Sequence, residues 1–270
     1  CMIEYYNFNK SELEKHSRIP LIVKKNNEEI FISLALEMVE LIKENNEKNE
    51  KTVIICPVGP VGQYPHFVRL VNQFKIDLSN VWFINMDEYL LEDLHWIDVV
   101  HPLSFRGFMQ KNVYSQIHPT LIMSEEQRIF PDPLDIDSIS NKIKELGKID
   151  LCIGGIGLNG HIAFNEPDST LTVQEFLKLG SRVLPISVET KVMNGLTVLK
   201  GAVEEVPNYC VTIGMSEIFQ AKKIRLAVFR DWHHAVIRKT VCSKPDTGFP
   251  STLMQIHTNC SIYLNESLAN

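Results

Sequence analysis

The sequence predicts an α/β fold around a mainly parallel sheet, on three observations. Short apolar runs ending in Gly or acidic residues recur along the 270 residues, helical or loop sequence follows each of them, and apolar residues make up 44% of the chain. A chain of this length and composition can bury a core of its own.

The elements follow in order. PLIVKK (20–25) reads as a strand, and EEIFISLALEMVELIKENNEKNEK (28–51) has apolar residues at helical spacing before a charged end. TVIICPVG (52–59), VWFINMDEYL (81–90) and IDLCIGGIG (149–157) are strand-like runs in the β-then-α rhythm of a parallel sheet. RVLPIS, NYCVTIG, IRLAVF and CSIYLN read as later strands, with a helix from Trp232 to Val241 between the last two. No internal repeat, low-complexity block or Pro/Gly/Ser linker divides the chain. Residues 20–270 are therefore read as a single domain, and residues 1–19 as an N-terminal extension.

Charge and cysteine usage narrow the function. The net charge is −6 and no Lys/Arg run is present, which argues against nucleic acid or a membrane surface as the main partner. A small molecule is the expected partner, and homo-oligomerisation is left open. The six cysteines form no CxxC pair, and Cys56, Cys152 and Cys210 lie in strand-like runs, so they read as free core thiols. No apolar run approaches the ~18 to 20 residues of a membrane span, and no secretory h-region opens the sequence. A cytoplasmic location is the expectation.

Ligands of an open parallel sheet bind beyond the carboxyl ends of the strands. Three stretches fall there. CPVGPVGQYP (56–65) places Gly59 and Gly62 before a residue suited to a first helical turn, where backbone N–H groups can approach an anion; a tight βα turn is the plainer reading. NMDEYL (85–90) sets Asp87 beside Glu88, and alternation along a strand lets only one face the cleft, as a base or as a cap. GLNGHIAFNEP (157–167) joins His161 to Glu166 through a chain reversal, so that the carboxylate can fix the imidazole tautomer. A structural histidine in a Gly-rich turn is the alternative. No second His or Cys lies at ligand spacing, and neither a metal nor another cofactor is expected.

Taken in order and spacing, INMDEYL, HPLSFRGFM, GGIGLNGHIAFNEPDST, SRVLPIS, VPNYCVTIGMSEI and PSTLMQIH resemble the glucosamine-6-phosphate deaminase/isomerase family over roughly residues 20–265. The Gly-His-Ile-Ala-Phe-Asn-Glu-Pro centre is specific to it; the related 6-phosphogluconolactonases share the Gly-His turn and diverge after it. The resemblance implies a Rossmann-like three-layer α/β sandwich and a metal-free reaction on a sugar phosphate. In the family, a histidine matching His161 carries the proton that opens the sugar ring, helped by an aspartate at the position of Asn159 and a glutamate matching Glu166. An aspartate matching Asp87 then moves a proton between C2 and C1, and ammonia leaves.

Two departures from that pattern bear on activity. The family's Thr-Gly-Ser-Thr-Pro phosphate loop is replaced by Val58-Gly59-Pro60-Val61-Gly62, and the family's phosphate-side arginine and lysine fall near Leu196 and His234. Gly59, Gly62, Arg182, Lys191 and His234 remain the phosphate-binding candidates, with Arg230 a further cation. Asn159 brings no charge to stabilise an imidazolium, so ring opening is expected to be slower or differently arranged, and Asn159→Asp is expected to accelerate it. A sugar-phosphate sensor without turnover and a lactonase-type hydrolase are the alternative functions.

Overall fold

A computed structural model describes residues 3–270. Its strands are β1 (Leu21–Lys24), β2 (Thr52–Cys56), β3 (Val81–Asn85), β4 (Asp87–Leu90), β5 (Arg128–Ile129), β6 (Leu151–Gly155), β7 (Arg182–Pro185), β8 (Tyr209–Thr212), β9 (Ile224–Val228) and β10 (Cys260–Asn265). Seven of them form one sheet in the order β1-β10-β9-β6-β2-β3-β5, and every pairing in it is parallel.

The period-two alternation of the strands divides their side chains between two cores. Val53 and Ile55 of β2 join Ile139 and Ile143 of the Ser138–Leu146 helix and Val236, Ile237 and Val241 of the His233–Cys242 helix on one face. Ile54 and Cys56 join Leu34, Met38 and Ile42 of the Asn27–Glu47 helix and Phe67 and Val71 of the Gln63–Phe74 helix on the other. The result is a three-layer α/β sandwich, as the sequence predicts. Helix starts carry local signals: Asn26 accepts from the N–H of Glu29 at 3.0 Å at the head of Asn27–Glu47.

The run 81–90, read above as one strand, is two. At Met86 the chain leaves the parallel sheet: its N–H donates to the Cys56 carbonyl and its carbonyl accepts from Ile213. Beyond it, β4 pairs antiparallel with β8, and β8 with β7, in a separate three-stranded sheet. Tyr89, Leu103, Phe164 and Cys210 fill a third, smaller core against this sheet. Asp87 therefore begins a strand instead of ending one, at the seam between the two sheets.

Strand order reverses between β2 and β6, because the chain runs outward through β2, β3 and β5 and then returns through β6, β9 and β10. The loops after β2 and β6 open the crevice at that switch point. Within residues 1–19, Lys10–His16 is a helix with a capping box from Asn9, and its Leu13 is buried. Cys56, Cys152, Cys210 and Cys260 are buried free thiols and Cys242 is a half-buried one; Cys1 lies outside the described residues. Among the described residues, no helix is long and apolar enough to cross a membrane.

Candidate active site

A cavity of about 350 Å³ occupies the switch-point crevice. Its wall carries Asp87, Asn159, His161, Thr190, Arg230 and His233, together with the Val58–Gly62 turn.

Asp87 and Glu88 divide as alternation requires. The Glu88 carboxylate turns away from the cavity and accepts from Ser104 Oγ, from the N–H groups of Phe105 and Arg106 at 3.0 and 2.9 Å, and from Arg106 Nε at 3.2 Å. It thereby caps the Phe105–Asn112 helix, the structural role weighed for this acidic pair. Asp87 is 7% exposed and lines the cavity, and its carboxylate meets no hydrogen-bond donor among the described residues. Burial, with the Glu88 charge beside it, holds its carboxyl well above the usual carboxylate range.

After β6 the chain turns tightly enough to bring residues 159, 161 and 166 together. Gly157 permits this, since a Cβ there would lie 2.1 Å from the His161 ring. Asn159 Oδ1 is 2.8 Å from His161 Nδ1, and Asn159 Nδ2 donates to Glu166 Oε2 at 2.6 Å. The bond to Glu166 fixes which end of the amide faces the imidazole. Facing an acceptor-only oxygen, Nδ1 carries the proton and Nε2 of the neutral ring is left as the acceptor. Glu166 Oε2 itself stands 3.5 Å from Nδ1. The sequence expectation that the carboxylate fixes the tautomer is corrected in this respect: the carboxylate orients the amide, and the amide orients the ring. Burial alone would raise the Glu166 pKa, but the neighbouring His161 ring at 3.5 Å, with the Thr190 and Asn159 bonds, brings it down to about 2.

The phosphate-binding candidates separate. Gly59 and Gly62 line the cavity at the head of the Gln63–Phe74 helix, where no protein acceptor takes the N–H of Gly59, Val61 or Gly62 among the described residues. Gly59 has φ of +139°, and a Cβ at Gly62 would lie 2.2 Å from the Phe31 ring. Arg182, Lys191 and His234 are not on the cavity wall. Arg182 donates to Asn165 Oδ1 at 2.8 Å and to the Gly180 carbonyl at 3.2 Å. Lys191 Nζ donates to Asn208 Oδ1 on an exposed face. His234 is replaced at the wall by His233, whose Nδ1 accepts from the N–H groups of Phe229 and Arg230 and whose Nε2 donates to the Ile156 carbonyl. Burial and the nearby Arg230 charge lower the His233 pKa to about 4 against the pull of those bonds, so it is a neutral wall group.

Arg230 is the one Lys or Arg on the wall among the described residues, and it forms no ion pair there. Around it the surface is aromatic: Phe31 and Phe229 meet edge to face at 5.0 Å, and the Trp232 ring lies 3.8 Å from that of His233. Sequence reasoning missed this wall and also Thr190, whose only sequence signal, Ser187 three residues earlier, announces a helix start. Among the described residues, no cluster of three or more His, Cys, Asp or Glu side chains is placed to hold a metal ion.

No protein-family model matches the chain. Glucosamine-6-phosphate deaminase of Clostridium perfringens (strain 13 / Type A) is 30% identical over 257 residues, covering 92% of this chain and 98% of the relative. A solved monomeric glucosamine-6-phosphate deaminase superposes with a TM-score of 0.79 at 22% identity, over 93% of this chain and 99% of its own. The 6-phosphogluconolactonase of Trypanosoma brucei shares the fold at a TM-score of 0.66 and 15% identity, over 94% and 98% of the two chains.

Proposed function

This chain belongs to the glucosamine-6-phosphate deaminase family, and from that membership we propose that it converts a hexosamine 6-phosphate, such as glucosamine 6-phosphate, to the ketohexose 6-phosphate and ammonia. The observation that carries the reading is the pairing, in one cavity, of an unpartnered buried carboxylate with a tautomer-fixed imidazole. Aldose–ketose isomerisation of a cyclic sugar needs two separate proton transfers, and this wall supplies two separate groups.

His161 Nε2 takes the proton of the anomeric hydroxyl and returns it to the ring oxygen, which opens the ring to the aldehyde. Asp87 removes the C2 proton of the open-chain 2-ammonium aldehyde while the ammonium passes a proton to O1, leaving a neutral enolamine, and then delivers the proton it took to C1. The resulting C2 iminium adds water and expels ammonia, leaving the ketone. A carboxylate whose pKa burial has raised is the better base for a carbon acid at neutral pH. The phosphate end is met by Arg230 and the free N–H groups at the head of the Gln63–Phe74 helix, in place of the hydroxyl-bearing loop. The reading also puts the chain in the cytoplasm, where unpaired thiols are the rule.

Ammonia release from a panel of hexosamine 6-phosphates, measured beside melting-temperature shifts with the same sugars, tests the proposal. Release from one of them is the expected result. Stabilisation without ammonia would make the protein a sensor, and hydrolysis of a 6-phospholactone would move it to the lactonase reaction.

A further inference from the structure

The Val188–Thr197 helix brings one buried hydroxyl into the site. Thr190, 3% exposed, donates from Oγ1 to Glu166 Oε1 at 2.6 Å and lies 3.4 Å from His161 Nδ1. Its own oxygen accepts from Ser187 Oγ at 3.0 Å, and Ser187 is the N-cap of the same helix, accepting from the Thr190 N–H at 3.2 Å. The two carboxylate oxygens of Glu166 are thus held by different donors, Oε1 by Thr190 and Oε2 by Asn159. Without the first bond the carboxylate can rotate about its last torsion, a broad and soft one, and the Asn159 amide is then held on its Nδ2 side mainly by the 3.5 Å approach to Ser187 Oγ and on its Oδ1 side by the His161 N–H at 3.3 Å, both longer than the 2.6 Å bond to Glu166.

We propose that Thr190 is a positioning residue: its hydroxyl, oriented by the helix cap Ser187, locks Glu166 so that Glu166 locks the Asn159 amide and the amide fixes the Nδ1–H tautomer of His161. The chain of contacts makes the start of the Val188–Thr197 helix part of the apparatus that prepares the imidazole. Thr190 needs no contact with substrate to act in this way. A threonine that only capped its helix would leave both Glu166 oxygens to other donors, whereas here the 2.6 Å bond is the one hydrogen bond Oε1 accepts among the described residues.

The consequence for the reaction rests on the deaminase reading given above; the positioning itself does not. The test therefore has two readouts on Thr190→Val, which keeps the side-chain shape and deletes the hydroxyl, and on Thr190→Ser, which restores it. Imidazole 15N shifts of His161 should report one Nδ1–H tautomer in the parent and in Thr190→Ser, and a mixture in Thr190→Val. Turnover of the ring-closed hexosamine phosphate should fall about 10- to 100-fold in kcat for Thr190→Val, with KM little changed, and recover in Thr190→Ser. An unchanged tautomer in a folded Thr190→Val overturns the positioning role, and so does a mixed tautomer in Thr190→Ser. If Thr190→Val fails to fold, Ser187→Ala, which frees the Thr190 hydroxyl to rotate, should show the same mixture, and a single Nδ1–H tautomer there overturns the proposal. A parent that releases no ammonia while the tautomer pattern holds defeats the deaminase reading alone.

Discussion

A base that removes a proton from carbon works best with a pKa near the working pH, and burial beside Glu88 raises that of Asp87 toward it. Asp87→Asn keeps the shape and removes the proposed base, so exchange of the substrate C2 hydrogen with heavy water should fall by roughly 10² to 10⁴ while the melting temperature holds or rises. Parent-rate exchange would exclude Asp87. At Asn159 the geometry adds a stability cost to the substitution that the sequence expects to speed ring opening. The amide donates to Glu166 Oε2 at 2.6 Å, so Asn159→Asp sets one carboxylate against another and removes a hydrogen bond to a charged group, a loss of about 1.5 to 3 kcal/mol. The variant should melt lower than the parent at pH 8, and the gap should narrow toward pH 5 as the coupled pair takes up a proton. A variant as stable as the parent at pH 8 would show that His161 neutralises the pair, and the expected acceleration would then stand.

At the scale of elements, successive residues of a helix point about 100° apart, and this decides which functional side chain reaches the cavity. In Val188–Thr197 the inward residues are Glu189, Thr190, Met193, Asn194 and Thr197, which leaves Lys191 outside; in His233–Cys242 the inward residue of the first turn is His233, which leaves His234 outside. In the proposed reaction the anionic end of the substrate is met from the loop between β9 and the second of these helices, which carries Arg230. Arg230→Ala should raise KM for a hexosamine 6-phosphate by roughly 10- to 100-fold, the equivalent of one charge-assisted hydrogen bond, and leave binding of the unphosphorylated hexosamine nearly unchanged. Equal weakening of both sugars would remove Arg230 from the phosphate end.

For the whole molecule, buried His233 and half-buried Glu166 contribute to how stability changes in acid. His233 has a folded pKa of about 4 against an ordinary value of 6.5, so the unfolded chain takes up its proton first and stability falls as pH drops from 6.5 to 4. Glu166, lowered to about 2, adds stability above its ordinary 4.5 and loses it between there and about 2. Each contribution is on the order of 3 kcal/mol at full development. Asp87 and Glu88, both raised, act in the opposite sense, because the folded state holds their protons more tightly. His233→Gln can keep the hydrogen bonds without titrating, so its unfolding free energy from urea midpoints should decline less between pH 6.5 and 4 than that of the parent. Parallel declines would assign the acid sensitivity elsewhere.

The sequence by itself determined the parallel sheet, the helices between its strands and the stretches that border the crevice, because alternation, helical periodicity and Gly-bounded strand ends are local properties that survive without any tertiary contact. It also brought Asp87, Asn159, His161 and Glu166 forward as candidates, three of them within a single turn of chain whose closeness in space follows from closeness in sequence. Which of the scattered cations faces the cavity was decided only by the tertiary structure: Arg182 is bound to Asn165, Lys191 to Asn208, and Arg230 is left at the wall. So was the break at Met86, which depends on bonds to Cys56 and Ile213, residues 30 and 127 positions away. The same holds for Thr190, whose hydroxyl reaches Glu166 across 24 residues of sequence. Such contacts are set by the packing of two sheets and a helix against one another, and no local pattern encodes the distance between groups that only the folded chain brings together.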